Sequence, residues 1–207
     1  MKESRAFANF WSFATRMESK HVREVRRELA SGARGRVLEI GCGVGANFKY
    51  YSDAATEIIA TDPNSYMLPM AREAATASGR AIDVRAARAE ELPFDDVSFD
   101  TVLSTLNMCS VDDPQRALSE IRRVLKDRGE YRFFDHVQYD HAFGRLCQNL
   151  IAPLWSRLPG SCHPNRDIAG VVRVAGFSSV QLDFEKSLPP FPPMVFVRPH
   201  IKGIAVA

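Results

Sequence analysis

Residues 37–47, Val-Leu-Glu-Ile-Gly-Cys-Gly-Val-Gly-Ala-Asn, run from an apolar strand-like stretch into three glycines at alternate positions and then toward a helix. Glycine enters the left-handed backbone region without a Cβ penalty and lets another group approach the chain closely. A helix opening after such a turn offers free amides to a ligand. The rest of the chain keeps the same rhythm, with apolar runs at 36–40, 57–61, 81–86, 99–104 and 131–134 separated by helical or turn-rich stretches. Alternating βα units predict a parallel sheet with helices on both faces. The intervening helices are expected at 46–52, at 65–78 with a start near Leu68 because Pro69 interrupts it, and at 114–125, where Asp112-Asp113-Pro114 supplies a cap and a first-turn proline.

Before the first strand, Phe7, Phe10, Trp11, Ala14, Met17, Val22, Val25 and Leu29 recur near helical spacing, which predicts one amphipathic helix over 4–30 ending at Ser31-Gly32. After residue 136 the pattern predicts a helix at 140–157, a turn at Leu158-Pro159-Gly160-Ser161, a helix near 166–175, and strands at 179–184 and 194–206. Pro199 predicts a bulge or break in the last strand, and Pro189–Pro193 reads as a stiff connector. The expected fold class is α/β: a single Rossmann-like doubly wound sheet, mostly parallel with an antiparallel C-terminal strand, helices on both faces. At 207 residues the chain suffices for one domain. Residues 1–32 are expected to form an N-terminal lid helix, 33–136 a cofactor-binding core, and 137–207 the acceptor-side helices and strands.

Composition removes several function classes. Lys plus Arg is 27 and Asp plus Glu 25, and the most basic stretch, 16–28, also carries Glu18, Glu24 and Glu28, so it reads as a solvated helix face and no nucleic-acid partner is expected. Cys42, Cys109, Cys147 and Cys162 spell no CxxC, so no metal site or redox motif is expected, and reduced thiols suggest a cytoplasmic protein. No run approaches ~18 apolar residues, so no transmembrane segment is expected.

Two ligand classes fit the glycine loop. Gly41, Gly43 and Ala46 spell GxGxxA, the dinucleotide pattern, and Asp62 lies 21 residues after Gly41, where an acid binds the ribose of NAD. Glu39, two residues before the first glycine, separates the readings. A pyrophosphate there meets an uncompensated carboxylate, and like charges a few ångströms apart in a partly desolvated cleft cost on the order of several kcal/mol. S-adenosylmethionine instead brings an ammonium and a sulfonium, which Glu39 attracts, and Asp62 still serves the ribose hydroxyls. The charge pattern therefore favours the methyl donor.

Glu39, Gly41, Gly43 and Gly45 in the order ExGxGxG, followed by Thr61-Asp62-Pro63, resemble the class I S-adenosylmethionine-dependent methyltransferases. Ala89-Glu90-Glu91-Leu92-Pro93-Phe94 is similar to the family's segment beside the adenine, with Arg88 where an acid is common, and Ser98–Ser104 resembles its fourth strand. A narrower set is similar to the thiol S-methyltransferases of the microsomal methyltransferase-like group and their small bacterial relatives: Gly45-Ala46-Asn47-Phe48, Asp62-Pro63-Asn64, Cys109-Ser110-Val111, Asp135-His136-Val137, Gly160-Ser161-Cys162-His163 and Pro199-His200-Ile201-Lys202-Gly203. The resemblance implies S-adenosyl-L-methionine as cofactor, held by Glu39, Gly41, Gly43, Gly45, Asn47, Asp62, Pro63, Ala89, Glu90 and Thr105. It also implies a small-molecule acceptor, the thiol of an apolar xenobiotic or sulfur-containing natural product. Microsomal members carry an N-terminal hydrophobic anchor that this sequence lacks, so a freely soluble enzyme is expected.

Methyl transfer is an in-line displacement whose main requirement is positioning. A thiol with pKa ~8.5 is partly ionised at neutral pH and needs only a modest base. His136 titrates in the useful range and closes the fifth strand at the sheet edge where a base belongs. Asp135 is expected to orient it, although neighbours on a strand point to opposite faces. His163 is the rival base, and Cys162 beside it either lines the pocket or acts as a reactive thiol. Asn107, Met108 and Cys109 read as a wall between cofactor and acceptor or as core, and Cys42 as inert packing. Phe10, Trp11 and Phe13 read as a lid contacting an apolar acceptor or as plain core. The same scaffold also serves O-, N- or C-methylation of a phenol, amine or quinol. A non-catalytic cofactor-binding module is the remaining alternative, against which the complete set of Glu39, glycines and Asp62 speaks.

Overall fold

Ser4 and Ser19 decide how the chain begins. Each side chain accepts a hydrogen bond from the amide three residues on, Phe7 N and Val22 N, both at 3.2 Å. They thereby cap two separate helices, α1 (Arg5–Arg16) and α2 (Lys20–Ser31), where periodicity predicts one. The apolar stripe continues across the break at 17–19, so spacing alone merges the helices. The computed structural model describes residues 4–155, 157, 162–186 and 194–207. The turn expected at 158–161 and the proline connector at 189–193 lie outside these residues.

Seven strands form one sheet: β1 (Gly35–Ile40), β2 (Ala55–Thr61), β3 (Ile82–Arg85), β4 (Phe99–Thr105), β5 (Leu125–His136), β6 (Ser179–Lys186) and β7 (Pro199–Val206). Their order is β3-β2-β1-β4-β5-β7-β6. Strands β1 to β5 pair in parallel, and β7 runs antiparallel to both β5 and β6. This is the mostly parallel, Rossmann-like sheet with an antiparallel C-terminal strand that the alternation predicts. Pro199 opens β7 after a short 3-10 turn at Met194–Val197, so the final apolar run breaks beside the proline.

Alternate residues feed cores on the two faces. Leu38, Val102 and Phe133 pack with α4 (Pro114–Val124) and α6 (Ile168–Val174), while Val37, Leu103 and Phe134 pack with α2 and α3 (Leu68–Ser78). A further helix, α5 (Ala142–Trp155), follows β5. The order in which successive strands are added reverses between β1 and β4, and the carboxyl ends of these two parallel strands open the crevice where ligands bind in such folds. One expected helix is absent: 46–52 holds only a 3-10 turn at Phe48–Tyr50. Asn47 and Tyr51 turn their side chains inward onto Glu39, and the glycine loop before them runs through left-handed conformations.

Candidate active site

Glu39, near the end of β1, is buried, and both its oxygens are engaged: Oε1 accepts from Asn47 Nδ2 at 2.9 Å and Oε2 from the Tyr51 hydroxyl at 2.5 Å. Burial pushes its pKa up to about 7, although Tyr51, Asn47 and Arg26 oppose the rise. Asn47 Nδ2 also donates to Thr105 Oγ1 at 3.0 Å, and Arg26 Nη1 donates to Asn47 Oδ1 at 3.1 Å and to Thr105 Oγ1. The other side of the Arg26 guanidinium grips Glu18, in the break between α1 and α2, at 2.6 to 3.1 Å. Arg26, Glu18 and Tyr51 are therefore part of this site without any motif announcing them. The available signal is helical phase: Arg26 shares the inward stripe of Val22, Val25 and Leu29 and is buried with them.

Asp62, just past β2, accepts from the amides of Gly43 at 2.9 Å and Asn64 at 2.8 Å, which fastens the glycine loop to the next strand. Burial raises its pKa, against the two amides. A Cβ at Gly41 would lie 2.4 Å from the Asn107 amide, and one at Gly43 would lie 3.2 Å from Trp11 Nε1. Both glycines have positive φ, so the loop needs glycine for conformation as well as for space. The aromatic of α1 that lies against the loop is Trp11; Phe10 and Phe13 are 51% and 64% exposed. For Asp62→Ala we expect both a lower melting temperature and weaker cofactor binding, read by thermal shift and calorimetry; wild-type affinity would remove Asp62 from the site.

Beside Gly41 a cleft opens between Ile40, Pro63, Ala89, Asn107 and Val111. Leu106 holds the left-handed conformation at φ +55, a strained position for a branched residue, and the turn aims Asn107 at Gly41. Asn107 Nδ2 is buried and has no hydrogen-bond partner. Such an orphan donor costs about 1–3 kcal/mol until an acceptor reaches it, which suits a cleft built for a polar, flat ligand. At the rim, Glu90 accepts from the Asp112 amide at 2.8 Å, and Arg88 pairs with Asp112 at 2.6 Å. Arg88 thus ties the β3–β4 connection to the approach of α4.

The carboxyl end of β5 supplies a second cluster. Asp135 accepts from the amides of Met108 and Cys109, both at 3.3 Å, and burial pushes its pKa up to about 6 against the pull of His136. His136 is buried, its ring stands edge-on to His200 at 6.2 Å, and its Nε2 has no partner. Burial pulls the His136 pKa down, yet Cys162 and Asp135 outweigh it and the net shift is upward. Cys162 Sγ accepts from Trp155 Nε1 at 3.0 Å. Hydrogen bonding from Cys109, opposed by burial and joined by His136 and Trp155, takes Cys162 down to about 4, while burial drives Cys109 up. His163 bonds the Cys109 carbonyl through its amide at 2.9 Å and Nδ1 at 3.3 Å, and burial lowers its pKa. The structure therefore gathers Asp135, His136, Cys109 and Cys162, with His163 turned onto the backbone. Trp155 and His200 join them unannounced by any sequence argument about chemistry, and burial holds His200 neutral, at about 3.

Among the described residues no group of His, Cys, Asp and Glu has the arrangement of a metal site, and no helix is long and apolar enough to cross a membrane. Residues 38–133 match the family described as Methyltransferase domain. Thiol S-methyltransferase TMT1B of Rattus norvegicus is 35% identical over 176 residues, covering 82% of this chain and 70% of that protein. The TMT1B of Homo sapiens is 33% identical over 204 residues, covering 92% and 80%. The solved YcgJ protein of Bacillus subtilis superposes with a TM-score of 0.72 over 91% of this chain and 98% of its own, at 18% identity, and so speaks for the fold alone. A buried acid above a glycine loop, this sheet order and that degree of identity lead to one assignment: the chain belongs to the class I S-adenosylmethionine-dependent methyltransferases, in the family that includes TMT1B, and S-adenosylmethionine is its cofactor.

Proposed function

We propose that the protein transfers the methyl group of S-adenosylmethionine to the thiol of a small apolar molecule. The carrying observation is His136, a buried imidazole with an unpartnered Nε2 at the edge of β5, and the identity with thiol S-methyltransferases supports the choice of acceptor. In this reading Glu39, steadied by Asn47 and Tyr51, takes the amino group of the methionine end. Gly41, Gly43 and Gly45 let the chain pass close to the ligand. Asp62 receives the ribose hydroxyls, and Pro63, Ala89, Glu90 and Asn107 flank the adenine. The bound cofactor supplies an electrophilic methyl on a sulfonium. His136 Nε2 takes the acceptor proton as the sulfur attacks, a task within reach of an imidazole because a thiol is already close to ionised. Asp135 holds the amides of residues 108 and 109 and is a positioning residue. We assign Phe10, Phe13, Cys162 and His163 to contacts with the acceptor.

A base must be neutral to act, and the His136 pKa lies above its ordinary 6.5, so turnover should rise with pH through a limb above that value. Cys162 is the main cause of the rise. In Cys162→Ser the limb should move to lower pH; a pH–rate profile that does not move would sever His136 from catalysis.

A further inference from the structure

Two thiols from distant parts of the chain meet at the acceptor edge, and the proposed methyl transfer uses neither as a reactant. His163 N bonds the Cys109 carbonyl at 2.9 Å, which brings the 162–163 backbone onto the end of β4 and sets Cys162 beside Cys109, the largest single influence on its sulfur. Trp155 Nε1 donates to Cys162 Sγ at 3.0 Å, and the buried His136 ring adds an electrostatic pull on the same sulfur. Donors converging on sulfur favour thiolate, the reactive form. Cys162 is partly exposed while Cys109 is buried, so an accessible sulfur is backed by a shielded one.

We propose that Cys162 and Cys109 form a hydroperoxide-reactive modification site, Cys162 the attacked sulfur and Cys109 the resolving one. The Cys162 thiolate attacks a peroxide oxygen. The O–O bond breaks, Cys162 becomes a sulfenic acid, and the leaving alkoxide or hydroxide takes a proton from His136. The Cys109 thiol then gives its proton to Asp135, the carboxylate beside it, and its sulfur attacks Cys162. An S–S bond forms as hydroxide leaves and picks up that proton as water. The peroxide is reduced and two thiols are oxidised to one disulfide. The same stabilised thiolate sets the direction of exchange: a dithiol favoured in its reduced form is a poor reductant of other disulfides, and its own disulfide is readily reopened by small thiols. The pair is therefore suited to oxidation by peroxide and resetting by thiols. Because Cys162 borders His136, the disulfide should also stop methyl transfer, a consequence that rests on the proposed function.

The full chain is treated with a small excess of hydrogen peroxide, alkylated and digested. Expected are a peptide linking Cys109 to Cys162, a mass loss of about 2 Da for two hydrogens, and recovery of both thiols with dithiothreitol. Cys109→Ala should stop at the sulfenic acid on Cys162, trapped by dimedone, and Cys162→Ser should give neither product. In the wild type Cys162 should react at least about tenfold faster than Cys147. Oxidation of Cys147 ahead of an intact Cys162, or dimedone on another residue in Cys109→Ala, overturns the proposal. These mass readouts need no methyl acceptor, so a protein that methylated no thiol would fail the proposed function and leave this test standing.

Discussion

Glu39→Gln should weaken the binding of both S-adenosylmethionine and S-adenosylhomocysteine by roughly 100-fold, because a charge-assisted hydrogen bond to a ligand ammonium in a buried site is worth about 2–3 kcal/mol and each 1.4 kcal/mol is tenfold. Both ligands carry the amino group, so both should suffer, as read by calorimetry. The same substitution should stabilise the ligand-free protein at pH 8. Burial has raised the Glu39 pKa from 4.5 to about 7, so the folded state holds this proton more tightly than the unfolded chain. That contribution is complete below the unfolded value and is lost as pH rises through the folded one, which leaves the wild type at pH 8 with a desolvated anion that Gln lacks. A higher melting temperature together with a weaker ligand distinguishes removal of a binding charge from damage to the fold. Affinity within threefold of wild type would put the methionine end somewhere else.

His136→Gln should lower kcat by about 10²–10⁴-fold, the usual contribution of a positioned base, with cofactor affinity unchanged because the proposed role of the ring is toward the acceptor alone. Single-turnover kinetics with prebound cofactor isolate the chemical step. Asp135→Asn should behave differently. Its carboxylate holds the backbone at Met108 and Cys109, so the loss should show in stability and in the position of the wall as well as in rate. Equal effects of the two substitutions on kcat and on stability would contradict a chemical role for His136.

Much of the sheet could be read from the chain because parallel strands covered on both faces are continuous apolar runs, and 36–40, 57–61 and 99–104 are such runs. The donor loop was readable for a different reason: glycines at positive φ, an acid before them and an acid after the next strand are tightly constrained local chemistry. The break at 17–19 was hidden because hydrophobic phase continues through it and only the Ser19 cap marks it. The missing helix at 46–52 was hidden because Asn47 and Tyr51 are bound through space to Glu39, a contact that no local propensity encodes. Arg26 and Glu18 were hidden in a charge-balanced stretch that reads as solvated. At the acceptor edge, His136 was readable from its place at the end of a strand, whereas its company of Trp155, Cys162 and His200 comes from residues up to 64 positions away in the chain and becomes a site only when β7 and the 162–163 backbone are laid beside β4 and β5.

The acceptor atom is read directly by mass-spectrometric detection of methyl transfer from S-adenosylmethionine to size-matched aryl and alkyl thiols, phenols, amines and a quinol at one pH. Methylation confined to the thiols, lost in His136→Gln, is the predicted result. Transfer to oxygen, nitrogen or carbon with the thiols untouched would leave the fold and the donor site in place and contradict thiol methylation.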